Sequence, residues 1–150
     1  MAGMREIGNA AEKLFHQNYI RGLLHLCPGM EAVRTGVVGA IAEEDILVGN
    51  YRTHGWAYAR GCSIEEIISE FLGKSTGYCK GKAGSQHLYL HNMLGGNAIV
   101  GSSVPLGTGV GFAMKYEKKP NVSISIYGDG GANQGQIFEA FNMAKLWNLP

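Results

Sequence analysis

Apolar and polar positions first alternate at helical spacing: Ala10, Ala11, Leu14, Phe15 and Tyr19 share one face of a segment otherwise rich in charge. This period predicts an amphipathic helix over roughly the first twenty residues, ending near Arg21-Gly22. A second helix is expected after Pro28-Gly29. Its body, Glu31 to Ala42, is rich in Ala, Val and Gly, which predicts tight packing against a neighbour, with Glu43, Glu44 and Asp45 closing it in solvent. Ile46-Leu47-Val48 reads as a short buried strand, and Gly49 to Gly55 as a polar loop. Ser63 and Glu66 have capping-box spacing, so Ile64 to Leu72 is expected to form a helix that buries Ile64, Ile67, Ile68 and Phe71 and stops at Gly73.

Periodicity then fades. From Lys74 to Gly101 the chain is basic, glycine-rich and sprinkled with aromatics, a longer loop than compact domains usually carry without a functional reason. Gly101 to Tyr116 has the small residues of a closely packed helix. Val122 to Tyr127 reads as a strand cut short by Gly128, and a further helix follows, capped by Asn133 and Gln136, with Ile137, Phe138, Phe141 and Ala144 turned to the core. Strand, glycine turn and helix form half of a βαβ unit, and Asn148-Leu149-Pro150 looks like the entrance to another strand. The fold class expected is therefore α/β, a parallel sheet with helices on both faces.

Composition narrows the chemistry. Thirteen Lys and Arg against twelve Asp and Glu leave a net charge of +1, so no overall field points to nucleic acid or to an anionic membrane. Cys27, Cys62 and Cys79 form no CxxC pair, which argues against a disulfide framework or a zinc site and for a reducing compartment. The first residues show no signal peptide, Arg-rich presequence or long apolar run. The 23 glycines exceed the usual ~7% and cluster without a fixed period.

The turn Gly128-Asp129-Gly130-Gly131-Ala132-Asn133 follows a strand, where ligands of open parallel sheets sit. Its glycines would let backbone amides approach an anion, the helix start would add partial positive charge, and Asp129 offers a hard oxygen to Mg²⁺. Taken alone, those residues fit a glycine turn with a capping Asp equally well. Lys80-Gly81-Lys82 lacks the spacing of a phosphate-binding P-loop, and Gly107, Gly109 and Gly111 miss the dinucleotide fingerprint, so close helix packing explains them better. His54, His87 and His91 read as loop residues, with His87 a weaker candidate for contact near a substrate.

Several ordered blocks decide between these readings. RGLLHLCPGMEA, NYRTHGWAYARG, GKSTGYCKGKAGSQHLY, GGNAIVGSSVPLGTGVGFAMKY and GDGGANQGQIFEAFNMAKLWNLP together resemble the alpha subunit of the thiamine-diphosphate-dependent 2-oxo acid dehydrogenases of the pyruvate dehydrogenase type. The resemblance implies that Asp129 ligates Mg²⁺ and that Gly130 and Gly131 contact the cofactor's diphosphate. It places Tyr51 and Arg52 against the diphosphate and the substrate side. His25 faces the substrate as the catalytic candidate, although a lone histidine is more often a polar residue satisfied by its neighbours. Val100, with Ala98 beside it, holds the aminopyrimidine ring through backbone atoms. Ala98 stands where the family often has glycine, and Gly131 where it often has alanine.

The resemblance further implies oxidative decarboxylation of pyruvate, with the acetyl group passed to the lipoyl group of an acyltransferase component. The partner is a beta subunit, in a heterotetramer whose active site is shared between chains. HLCPGMEA favours the pyruvate or acetoin type over the branched-chain type. The family signature continues past Pro150 with an apolar strand and an Asn-Asn pair. Residues 1–150 are therefore expected to be the N-terminal portion of a single diphosphate-binding (PP-type) domain, incomplete at its C-terminus and inactive in isolation; a non-catalytic module derived from such an enzyme is the other reading. A bacterial cytoplasm and a mitochondrial matrix both fit, the lack of a presequence tilting toward the former.

Overall fold

The computed structural model describes residues 1–150. Six helices and three strands follow in the order α1 (Ala2–His16), α2 (Glu31–Ala40), β1 (Ile46–Val48), α3 (His54–Ala59), α4 (Ile64–Phe71), β2 (Met93–Leu94), α5 (Ser103–Tyr116), β3 (Ser123–Ser125) and α6 (Gly135–Leu146). The sheet order is β2-β1-β3 and both pairings are parallel. Leu47 faces Met93 across one pairing and Ile124 across the other. The α/β parallel architecture is the one expected, and no helix is long and apolar enough to cross a membrane.

Leu47 points into the larger core, where Ile7 and Ala11 of α1, Trp56 and Ala57 of α3, and Ile67 and Phe71 of α4 meet Leu88 and Met93. Strand side chains alternate between faces, and α5 covers the other face of β1 and β3, with α6 packed on α5. The close approach of α5 requires glycine at Gly107, because a Cβ there would collide with the Ser125 hydroxyl. Close packing thus accounts for Gly107 against β3 and for Gly111 against Pro150, as expected, but not for Gly109, which has nothing within 4 Å of where a Cβ would stand.

Several expectations need correction. Helix α1 stops at His16, the chain turns through a left-handed Asn18, and Tyr19 is exposed; Met4 and Ile7 fill the face instead. Small residues in α2 do not mark tight packing, since nothing lies within 4 Å of where a Cβ of Gly36 or Gly39 would stand. Asp45 is buried rather than solvated. Its carboxylate accepts hydrogen bonds from the amides of Val122 (2.9 Å) and Ala42 (2.8 Å), which hold its pKa below the usual carboxylate range and tie the start of β3 to the end of α2. The loop at Gly49 ends early, in the short helix α3, and the long loop after Lys74 contains the edge strand β2. Ile64 is exposed while Ile67 and Phe71 are buried.

Around α6 the differences are larger. Gln134, rather than Asn133 or Gln136, caps the helix, its side-chain oxygen accepting from the Gln136 amide at 2.9 Å. Only Ile137 and Ala140 are buried; Phe138 and Phe141 are exposed, at 57% and 47%, and Ala144 is half-buried. A three-strand sheet offers α6 no surface beyond α5, so most of its apolar stripe has nothing to cover it.

Candidate functional site

Parallel sheets leave a crevice beyond the carboxyl ends of neighbouring strands whose connections diverge. Strand β1 is central, with β2 on one side and β3 on the other, and the loops leaving β1 and β3 flank such a crevice. A cavity of about 250 Å³ opens there. Tyr51 and Arg52 line it after β1, Val100 and Gly101 before α5, and Gly128, Asp129, Gly130 and Gly131 after β3. Six residues singled out from sequence, drawn from three distant segments, thus share one wall system: Tyr51, Arg52, Val100, Asp129, Gly130 and Gly131.

The β3 turn leaves donors free. Its internal bonds run from the Ala132 amide to Gly128 and Asp129 carbonyls and from the Gln134 amide to Gly131, whereas the N–H groups of Gly130 and Gly131 donate to nothing within the chain. Neither Gly128 nor Gly130 has a neighbour within 4 Å of where a Cβ would stand, so chain packing does not demand glycine there and the bare backbone keeps the wall open. At Gly131 a Cβ would lie 3.4 Å from the Gly101 amide, so the alanine common at that position also fits. Helix α6 begins only at Gly135. The free amides lie in the turn itself, where the sequence places them, whereas the helix start, expected to add partial positive charge there, lies four residues beyond Gly131. The Asp129 side chain is exposed, with no hydrogen bond or ion pair in the chain.

Arg52 is held firmly. Its amide bonds to the Asn50 side chain at 3.0 Å, its Nε donates to the Leu26 carbonyl at 2.9 Å, and its guanidinium carbon lies 5.3 Å from the Tyr51 ring centre. Fixing Nε leaves the outer nitrogens of the fork for a ligand. His25 does not line the cavity: its ring packs on Tyr51 with centroids 4.5 Å apart, and its Nδ1 lies 3.2 Å from Gln86 Nε2. Ala98 is exposed and also outside the lining. Asn97, whose side chain accepts from the Ile99 amide, takes its place at the wall.

Two residues were missed. Arg34 of α2 is buried and lines the cavity; a lone arginine among the small residues of EAVRTG was the available signal. Beside it His54, read as a loop residue, opens α3 fully buried, its Nε2 2.9 Å from Cys27 Sγ and its Nδ1 without a partner. Burial, reinforced by Arg34 and Arg52, lowers the His54 pKa to about 4, and burial raises that of the Cys27 thiol, so both stay neutral at pH 7. Gly55 makes this cluster possible, because a Cβ there would press into the Arg34 side chain and lie 3.2 Å from Cys27 Sγ. His87, a weaker candidate, is 2.9 Å from the Gly96 carbonyl and outside the cavity.

Fold and site together define an α/β protein with an anion-receptive cavity at the carboxyl edge of a parallel sheet, furnished with one free carboxylate. The chain belongs to the dehydrogenase E1 component family, whose profile matches residues 1–150. It is 51% identical to the mitochondrial alpha subunit of the pyruvate dehydrogenase E1 component of Schizosaccharomyces pombe, an alignment covering 100% of this chain and 37% of that relative. It is 49% identical to the mitochondrial somatic-form alpha subunit of Homo sapiens and 47% identical to the probable mitochondrial alpha subunit of Caenorhabditis elegans, each time over 100% of this chain and 38% of the relative. The chain spans less than two-fifths of the length of these relatives.

Proposed function

We propose that residues 1–150 form the N-terminal portion of the diphosphate-binding domain of a pyruvate dehydrogenase alpha subunit, which works with a beta subunit and a lipoyl acyltransferase component. The observation that carries this reading is the meeting of Tyr51, Arg52, Val100, Asp129, Gly130 and Gly131 around one cavity. The donor set fits thiamine diphosphate with Mg²⁺: a free carboxylate for a hard cation, unbonded turn amides and a pre-positioned guanidinium for phosphate oxygens. When bound, the cofactor supplies the electron sink for decarboxylation of a 2-oxo acid.

The chain's own residues bind and orient. Arg52 and the turn amides hold the diphosphate, Asp129 takes the metal, and the backbone at Val100 seats the ring. His25, buttressed by Tyr51 and Gln86 at the cavity's margin, is the candidate to hold or move a proton on the substrate side. Its place outside the lining of this chain accords with an active site completed by the beta subunit. The relatives' mitochondrial names favour the mitochondrial matrix over a bacterial cytoplasm, and their pyruvate dehydrogenase names favour pyruvate over acetoin or branched-chain substrates.

Calorimetric titration of thiamine diphosphate with Mg²⁺ into this chain, alone and with a beta subunit, tests the reading. Metal-dependent binding weakened at least tenfold by Asp129→Ala is expected. Binding that ignores both Mg²⁺ and the substitution would remove Asp129 from the site.

A further inference from the structure

Helix α2 buries two residues, and both are charged: Glu31 and Arg34. Glu31 is answered by Arg5 of α1, whose Nε donates to its carboxylate and holds the Glu31 pKa at about 2. Arg34, only 3% exposed, has no carboxylate within ion-pair distance. Its two outer nitrogens donate to the carbonyls of Met30 (3.1 Å) and Arg52 (3.3 Å), its Nε has no partner, and its guanidinium carbon stands 5.2 Å from the Trp56 ring centre. Backbone carbonyls and an aromatic face are weak compensation for an enclosed charge, which costs several kcal/mol when left without a counter-ion.

The charge balance of the cavity says what is missing. Its charged lining residues are Arg34, Arg52 and Asp129. Two guanidiniums against one carboxylate leave an excess of positive charge, increased by the unbonded amides of Gly130 and Gly131. A cation on Asp129 enlarges that excess. A monocarboxylate would neutralise one guanidinium, whereas a diphosphate carries enough charge to answer both guanidiniums and enough oxygens for the turn and a metal at once.

We propose that Arg34 is a second guanidinium anchor for the diphosphate group, acting beside Arg52, with its own counter-ion supplied by the ligand. The inference rests on the diphosphate reading of the cavity. It is tested on the assembled, cofactor-free alpha–beta enzyme by calorimetric titration of inorganic pyrophosphate with Mg²⁺, using wild type, Arg34→Met and Arg34→Lys. Arg34→Met is expected to weaken pyrophosphate binding roughly tenfold to a hundredfold, the usual loss for a charge-assisted hydrogen bond. Arg34→Lys, which keeps the charge and loses the fork, should fall between. The KM for the 2-oxo acid at saturating cofactor should stay at the wild-type value. Should Arg34→Met fail to assemble, intermediate weakening in Arg34→Lys supports the role and wild-type affinity overturns it. Wild type that takes up no pyrophosphate sinks the cavity reading itself. Wild type that binds, with both variants binding equally well, overturns the role of Arg34 alone. A raised KM with unchanged pyrophosphate affinity assigns Arg34 to the substrate carboxylate and likewise overturns the proposal.

Discussion

His54 illustrates what burial does to a single side chain. Its imidazole is enclosed among Cys27, Phe71 and the two arginines, with one ring nitrogen unpaired. In the unfolded chain it takes a proton near pH 6.5; in the fold it resists protonation down to about pH 4. Between those values the unfolded state binds more protons, so stability is intact above pH 6.5 and is lost as the pH falls toward 4. The full effect is on the order of 3 kcal/mol. Urea midpoints measured from pH 7 to pH 4 should fall, and His54→Asn should flatten the fall; an identical slope in the variant would place the acid sensitivity elsewhere. Sequence shows such a histidine only as one polar letter in a loop, because burial is contributed by residues far along the chain.

At the scale of elements, local rules and distant contacts divide the outcome. The capping box of α4 formed as spelled, with the Ser63 hydroxyl and the Glu66 carboxylate each bonded to the other's amide, because all its atoms lie within four residues. One turn later, Glu70 of the same helix is fully buried, and its carboxylate accepts from the amides of Cys79 (2.9 Å), Gly81 (2.9 Å) and Ala83 (2.6 Å). This carboxylate organises the start of the long basic loop, which needs no secondary structure of its own there. Glu70→Ala removes all three acceptor contacts and is expected to cost about 2–4 kcal/mol, with water recovering part of the loss. Thermal unfolding measures the cost, and faster proteolysis between Lys74 and Lys82 would report the loosened loop. A variant as stable and as resistant as wild type would mean that the loop holds itself.

Across the whole molecule, burial is uneven. The larger core joins twelve buried residues from α1, α3, α4, β1, β2 and the segments around them, whereas α5 and α6 share a cluster of three, Val104, Ile137 and Ala140. Local opening follows buried apolar contact, so amide hydrogen exchange in this chain should be markedly faster in α6 than in α4; equal protection would show that the smaller cluster is as cooperative as the larger. Legibility in the sequence follows the same division. Residue order by itself determined the parallel α/β class, β1, α4 with its cap, the existence of α5, and the turn carrying Asp129, because each depends on the order of elements or on spacing and backbone freedom within a few residues. Tertiary structure alone decided that β2 pairs from inside a loop, that Asp45 and His54 are buried, and that Phe138 and Phe141 stay exposed. It also decided that Arg34 reaches the cavity while Ala98 and His25 stand off it. These outcomes turn on which surfaces meet, and a one-dimensional pattern records a residue's polarity but not the neighbour that will satisfy it.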